Sequence, residues 1–412
     1  MTPYEDALGK SLADFFFSDS EDPLKVSNGW ARWRRDFDWA LSLYETDLLD
    51  GPRPITRIGT VKEIPVINMA SYNYLGMANH PQVVEAAKEA LDRYGAGACG
   101  SPILSGMTDL HLRLEKRLAK FLGQEDALLF TSGYSGALGV ISGLVRLGDV
   151  AILDERIHRS ITDGVKLSGA KTVFFEHNNA RDLDRQLEKY AESRRIVAVE
   201  GLYSMDGDLG DLGAICAVAE SHGVGVIVDE AHSMLTVGKG GRGAIEHFAC
   251  NKNSTLQYGT FSKSFAGVGG FIAGSKQALG YLRYYAGSYA FSCALPPSVV
   301  AGILAVLDIV ENDSTHIETL ASNAAYFRAG LQDLGIDTGD SCSQVVPIIV
   351  GADRKRLYEY GHALREAGLF LAPVDYPSVP ENSLRFRASV SSAHTEEDLS
   401  RALQIIQKII IP

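Results

Sequence analysis

From about residue 64 to residue 300 the sequence alternates short β-rich apolar runs, each closed by a Gly or polar turn, with longer stretches of helical periodicity. That alternation is what most constrains the fold, because strands separated by helices build a mostly parallel sheet covered on both faces. Candidate strands are ALLF (127–130), DVAIL (149–153), RIVAVE (195–200), GVIVDE (225–230) and GGFIAG (269–274), several apolar enough to be buried on both sides. PQVVEAAKEALDRYG and DLHLRLEKRLAKFLG carry the helical period between them. The pattern predicts an α/β large domain over residues 64–300. Past the Pro296-Pro297 pair, a helical stretch over 298–334 and strands at VVPIIV (345–350) and LRFRASV (384–390) predict a smaller α+β domain over 301–412. Residues 1–63 form an N-terminal extension in which Trp30, Trp33, Phe37 and Leu41 recur at helical spacing. The simpler expectation is a helix docked on the body of the protein; a membrane-surface or partner-binding helix is the alternative.

Bulk properties exclude several classes. A formal net charge of −12 leaves no basic footprint for nucleic acid. The five cysteines are scattered and never form a CxxC pair, which suits a reducing compartment. The N-terminal stretch lacks the positive charge and unbroken apolar segment of a secretion signal, and no apolar run is long enough to span a bilayer. A cytoplasmic protein with at most peripheral membrane contact is expected. The histidines, among them His111, His177, His222, His247 and His394, form no HxxxH or Cys/His cluster, so no metal is expected and solvated or capping roles suffice for them.

The chemistry concentrates in VIVDEAHS and QYGTFSKSFAGVGG. These place Asp229 and His232 at the C-terminal end of a strand and Lys263 in a Gly/Ser/Thr turn further on. Ligands of open α/β sheets bind outside the carboxyl ends of the strands, so these groups can share a crevice. The set suits pyridoxal 5'-phosphate, which needs a lysine amine for its aldehyde, an acid opposite its pyridine nitrogen and donors for its phosphate. Lys263 and Asp229 fit the first two needs, and Thr260, Ser262 and nearby backbone N–H groups fit the third. Upstream, FTSGYSGALGVISGL runs from a strand into a helix through Thr131, Ser132, Gly133 and Tyr134, a second cradle for an anion.

In this order the stretches SYNYLGMANHP, GSPILSGMTDLHLRLE, ALLFTSGYSGALG, DERIHRSITDG, EGLYSMDGD, VDEAHS, GTFSKSFAGVGGFIAGS, YAFSCALPPSV and LRFRASVSSAHT resemble the α-oxoamine synthases. These are fold-type I, aspartate-aminotransferase-like pyridoxal-phosphate enzymes, and the resemblance runs from about Asn68 to His394. It implies that His158 stacks on the cofactor, that the Ser204 hydroxyl reaches it, and that His232 bonds its phenolic oxygen. It further implies that Asn73 and Arg387 meet the amino-acid carboxylate. Ser292 matches a phosphate contact given to a neighbouring subunit, hence a homodimer with shared active sites. Lys263 would carry the cofactor and take the α-proton of an amino acid. Condensation with an acyl thioester of coenzyme A or acyl carrier protein would then release carbon dioxide and thiol and leave an α-amino ketone. VDEAHS, GTFSKS and ALPPSVV are similar to the serine palmitoyltransferase branch, which favours serine and a product such as 3-ketosphinganine. The stretch APVDYPSVPENS (372–383) replaces the PPAT-like turn usual there, so glycine or alanine, in biotin or secondary-metabolite synthesis, stays open.

Other readings are weaker. GAGACG (95–100) and GKGGRG (238–243) match GxGxxG in letters, but the first follows a helical run and the second lacks the helix and acid that a dinucleotide fold requires, so both are expected to be tight turns. DEAH alone suggests a nucleotide-driven motor, yet no GxxxxGK[ST] loop accompanies it. An aminotransferase or aldolase on the same fold shares the lysine and the acid; such an enzyme needs no thioester. A binding protein without activity would be signalled by loss of Lys263, Asp229 or Arg387, and all three are present.

Overall fold

The structure, a computed structural model, describes residues 3–16, 22, 24–25, 27–59 and 64–411. The chain forms two compact units, residues 72–204 with 208–321, and residues 1–71 with 205–207 and 322–412.

The larger unit is built on a seven-stranded sheet of β1 (Asp126–Phe130), β2 (Val150–Asp154), β3 (Lys171–Phe175), β4 (Arg195–Glu200), β5 (Val226–Asp229), β6 (Thr255–Thr260) and β7 (Gly270–Gly274). The strand order is β1-β7-β6-β5-β4-β2-β3. Only β7 runs against its neighbours. Alternation along the strands sorts the core into two layers. Ala198 and Ile227 pack with Ala137, Val140 and Ile161 of the helices Gly133–Leu144 and Arg159–Ser168. Val197, Val199, Val226 and Val228 pack on the other face with Leu183, Leu187, Leu212 and Ile215. The sheet is therefore apolar on both sides, as its unbroken runs of Val, Ile and Ala require.

All five candidate strands exist within about a residue of their expected ends. Two more do not announce themselves. β3, KTVFF, is an edge strand that opens on an exposed Lys171, and β6, TLQYGT, carries Gln257 and Tyr258 where a buried strand usually has aliphatics. The helical stretch expected over 298–334 is two helices, Pro297–Asn312 and Thr315–Asp333. They break at Asp313, which is extended and accepts the N–H of Thr315 on its own carboxylate at 2.8 Å. The first of these helices packs on Pro81–Tyr94 within the larger unit, where Gly302 lets Val83 approach. GKGGRG contains a turn, with Gly238, Gly241 and Gly243 at positive φ, whereas GAGACG is an irregular stretch that leaves the helix Pro81–Tyr94 through Gly95, also at positive φ.

The smaller unit carries an antiparallel sheet of Val345–Gly351, Leu384–Ser389 and Ala372–Val374 and a second sheet of Ile55–Arg57, Pro65–Asn68 and Leu369–Phe370. The N-terminal segment is part of this unit. Its helices, Asn28–Asp36 and Asp38–Leu41, bury Trp33, Phe37 and Leu41 against Tyr358, and the Trp33 indole donates to the Ala7 carbonyl at 3.0 Å. The apolar side of the Trp-rich segment is thus covered by its own unit, as the simpler expectation had it. The two units cut across the three segments 1–63, 64–300 and 301–412, because residues 301–321 continue the helices of the larger unit. Among the described residues, no helix is long and apolar enough to cross a membrane.

Candidate active site

Asp229 closes β5 and is buried. Its Oδ1 accepts the Ala231 N–H at 2.9 Å. Burial pushes its pKa up, against the pull of the nearby Lys263 ammonium and His158 ring. A buried carboxylate kept near the Lys263 ammonium and the His158 ring, with acceptor capacity to spare, suits a protonated ring nitrogen. His158 caps the helix Arg159–Ser168, and its Nδ1 lies 2.8 Å from the Ser160 hydroxyl. Desolvation lowers its pKa while Asp229 opposes, so the ring is held neutral and free to stack. Lys263 lies in the turn between β6 and β7, its Nζ 6.0 Å from the centre of the Tyr72 ring. His232 is buried in the loop after β5, 2.8 Å from the Tyr74 hydroxyl through Nδ1, and Tyr72 meets it edge-on.

The anion cradle is the start of the twelve-residue helix Gly133–Leu144. Ser132 caps it through the Ser135 N–H at 3.0 Å, while the N–H groups of Gly133 and Tyr134 have no acceptor among the described residues. A Cβ on Gly133 would stand 2.9 Å from the Thr260 hydroxyl, so only glycine lets this helix end sit against β6. Thr260 is buried, donates to the Gly269 carbonyl at 2.9 Å and lies 2.9 Å from the exposed Ser262 hydroxyl. Two open N–H groups with two hydroxyls beside them fit a phosphate. Ser292 stands 3.5 Å from the Thr131 hydroxyl of the same chain, just ahead of this cradle. Tyr134 is half exposed and donates to Asp163 at 2.6 Å.

Asn73 is buried and spends Oδ1 on the Ala78 N–H at 3.2 Å, which shapes the turn after YNYLG. Ser204 is the last residue of its stretch of the larger unit and is partly buried. Arg387 belongs to the smaller unit, buried on Leu384–Ser389 with Pro347 and Ala372 as its register partners. Its neighbour Arg385 is taken up by Asp206 at 2.7 Å and by the Met205 carbonyl, a structural ion pair.

Several contributors escape a reading by motif. Tyr74 orients His232, and the Tyr258 hydroxyl donates to the Gly133 carbonyl. Both lie beside quoted residues, and the signal was there: Tyr74 is next to Asn73 in its turn, and Tyr258 is two positions before Thr260 on its strand. Glu230, the second letter of DEAH, is no acid of the site. It accepts the N–H groups of Ala244 and Ile245 at 2.8 and 2.9 Å, and with the Ser233 hydroxyl it pins the loop behind β5. His177 also departs from expectation. It is no solvated or capping group: Nδ1 lies 3.0 Å from Asp154 and Nε2 lies 2.8 Å from Asp208, and the two carboxylates, outweighing burial, raise its pKa to about 9. His394 is buried, taking the Ser391 N–H on Nδ1 with Nε2 3.1 Å from the Asn68 carbonyl.

The aminotransferase class I and II family model matches residues 64–406. The chain belongs to that family, within the α-oxoamine synthases. Among its relatives is the 8-amino-7-oxononanoate synthase of Thermoanaerobacter pseudethanolicus, 38% identical over 361 residues, 87% of this chain and 90% of the other. Another is the serine palmitoyltransferase of Bacteriovorax stolpii, 38% identical over 84% of this chain and 83% of the other. A solved serine palmitoyltransferase variant from S. paucimobilis, with a bound PLP-myriocin aldimine, superposes with a TM-score of 0.90 at 33% identity, covering 94% of this chain and 98% of that one. The protein is a fold-type I, pyridoxal-phosphate-dependent condensing acyltransferase of the α-oxoamine synthase type.

Proposed function

We propose that this chain joins L-serine to a long-chain acyl thioester, of coenzyme A or acyl carrier protein, with loss of carbon dioxide and thiol, giving an α-amino ketone of the 3-ketosphinganine type. The observation that carries the pyridoxal assignment is the grouping of buried Asp229 with half-buried Lys263 and the more exposed His158 in one electrostatic field. The choice of serine rests on VDEAHS and GTFSKS and on the likeness to a solved serine palmitoyltransferase over 94% of the chain. Bound here, pyridoxal phosphate supplies an electron sink for charge that develops on the amino acid's α-carbon. Lys263 provides the amine that holds the cofactor, and its Nζ takes the α-proton. Asp229 keeps the ring nitrogen protonated, His158 stacks on the ring, His232 bonds its phenolic oxygen, and the Ser204 hydroxyl reaches the cofactor. Gly133, Tyr134, Thr260 and Ser262 receive the phosphate. Arg387 and Asn73 are assigned the substrate carboxylate from their motifs, where a planar guanidinium grips two oxygens.

Ser292 is assigned to the site of a second copy, which makes the working form a homodimer. Supporting this, Phe291 is 89% and Leu104 84% exposed, on two loops tied by the Ala294 N–H to the Gly100 carbonyl at 2.8 Å. Large apolar groups this open mark a surface that a partner covers. The alternative, glycine or alanine, has equal sequence support, since the 8-amino-7-oxononanoate synthase relative is also 38% identical.

The test is a visible-absorption titration of the purified protein with serine, glycine and alanine, followed by acyl-coenzyme A or acyl carrier protein. A cofactor band that responds to serine, with thiol and carbon dioxide released only once thioester is present, supports the proposal. A response to glycine or alanine without one to serine moves the chain to the second reading, and a band that survives Lys263→Ala unchanged removes Lys263 from its role.

A further inference from the structure

Glu200 is a second acid in the pocket that the proposed roles do not use. It ends β4 and is the register partner of Asp229 on β5. Two residues earlier, Ala198 and Ile227 pack in the layer of the helix Gly133–Leu144, whereas Val199 and Val228 pack in the opposite one. Strand alternation therefore points both carboxyls to the same face, on strands about 4.8 Å apart. Tyr258, the partner of Asp229 on β6, completes the row. Glu200 is 3% exposed, and its Oε1 has no hydrogen-bond partner among the described residues. The backbone N–H groups of His158 and Ser204 face its carboxyl, so one side chain underlies two of the loops that reach the cofactor. The remaining groups around it are Asp229, Lys263, Tyr203 and Tyr258.

Two carboxylates this close and this dry do not both ionise; the pair keeps a proton. Where it resides follows from the surroundings. Asp229 faces the Lys263 ammonium and the polar His158 ring and accepts the Ala231 N–H, whereas Glu200 faces Lys263 without the His158 ring and also feels the Asp229 charge. Burial and the Asp229 charge push the Glu200 carboxyl well above its ordinary range. We propose that Glu200 is a neutral positioning acid, which holds the proton of this pair, supports the His158 and Ser204 loops and leaves Asp229 as the one anion for the cofactor's ring nitrogen. The inference rests on the role given to Asp229 above.

A protonated glutamate and a glutamine carry the same donor and acceptor pattern, and that makes the idea testable. In infrared spectra of the holoenzyme at about pH 8.5, above the value of about 7 to which Glu115 and Glu230 are raised, wild type minus Glu200→Gln should show one protonated-carboxyl band. Glu200→Gln should also keep the cofactor dissociation constant within about threefold and leave the pH midpoint of the visible band in place, while Glu200→Ala weakens cofactor binding about tenfold. No band in the difference spectrum, or a midpoint moved by about a unit in Glu200→Gln, overturns the proposal. The infrared arm can be repeated on the cofactor-free protein and does not depend on Glu200→Ala folding. A wild type that never forms a visible band would count against Asp229 as the ring partner, while the Glu200 band would still be present or absent on its own account.

Discussion

The larger unit contains two pairs of buried acids, and they are treated in opposite ways. Asp154 and Asp208 are bridged by His177, which donates to both, and Asp154 also accepts the N–H groups of Arg156 and Asn178. Asn178 tightens the clamp, donating to Asp208 at 3.2 Å and to the Leu209 carbonyl at 3.0 Å. Every charge there has an opposite charge in contact. Glu200 and Asp229 sit at the same carboxyl edge of the sheet with backbone N–H groups and a lysine for company, and both are raised. The first pair is a bolt that fastens the end of β2 to Asp208 within the larger unit. The second has no such closed set of opposite charges, and perturbed buried acids of this kind cluster at functional sites.

That contrast is broken most severely by exchanging the roles of the two pairs. Asp229→Ala should lower turnover at least about 10³-fold while leaving the melting temperature of the cofactor-free protein unchanged or higher, since a costly buried charge is removed. Asp154→Ala should do the reverse, costing about 3 kcal/mol in urea unfolding because the largely enclosed His177 charge loses a partner. If Asp229→Ala melts earlier and Asp154→Ala does not, the distinction between bolt and site collapses.

A smaller effect is the pH dependence of the bolt. His177 is raised in the folded state to about 9, so its contribution is fully present below the ordinary histidine value of about 6.5 and is lost as pH rises through about 9. Wild-type unfolding free energy should therefore fall by about 2–3 kcal/mol between about pH 6.5 and pH 10 relative to His177→Gln. Parallel curves for the two proteins would show that the bridge is not ionic. The mildest change is Tyr74→Phe, which removes the hydroxyl 2.8 Å from His232 and should cost about three- to tenfold in turnover at unchanged stability. A loss as large as that of Asp229→Ala would mean Tyr74 itself takes part in the chemistry.

Much of this was legible beforehand, and for a local reason. Lys263, Asp229, His158 and Gly133 stand in short motifs whose spacing is set by one strand end or one helix start, so sequence neighbours are also neighbours in space. The five strands with unbroken apolar runs were legible for the same reason. β3 and β6 were not, because an edge strand and a strand bearing Gln257 and Tyr258 look polar until their neighbours are known. His177 looked like any solvated histidine because Asp154 and Asp208 lie 23 and 31 residues away in opposite directions.

The sequence by itself therefore determined the α/β class, the family and the cofactor, since alternating apolar periods and local motifs encode them without reference to distant residues. Only the tertiary structure decided that Glu200 stands beside Asp229, that His177 joins the end of β2 to Asp208, that Glu230 is a loop anchor and that Arg385 belongs to Asp206. Each depends on strand register or on a contact between segments far apart in the chain, and a single sequence carries no term for the distance between them.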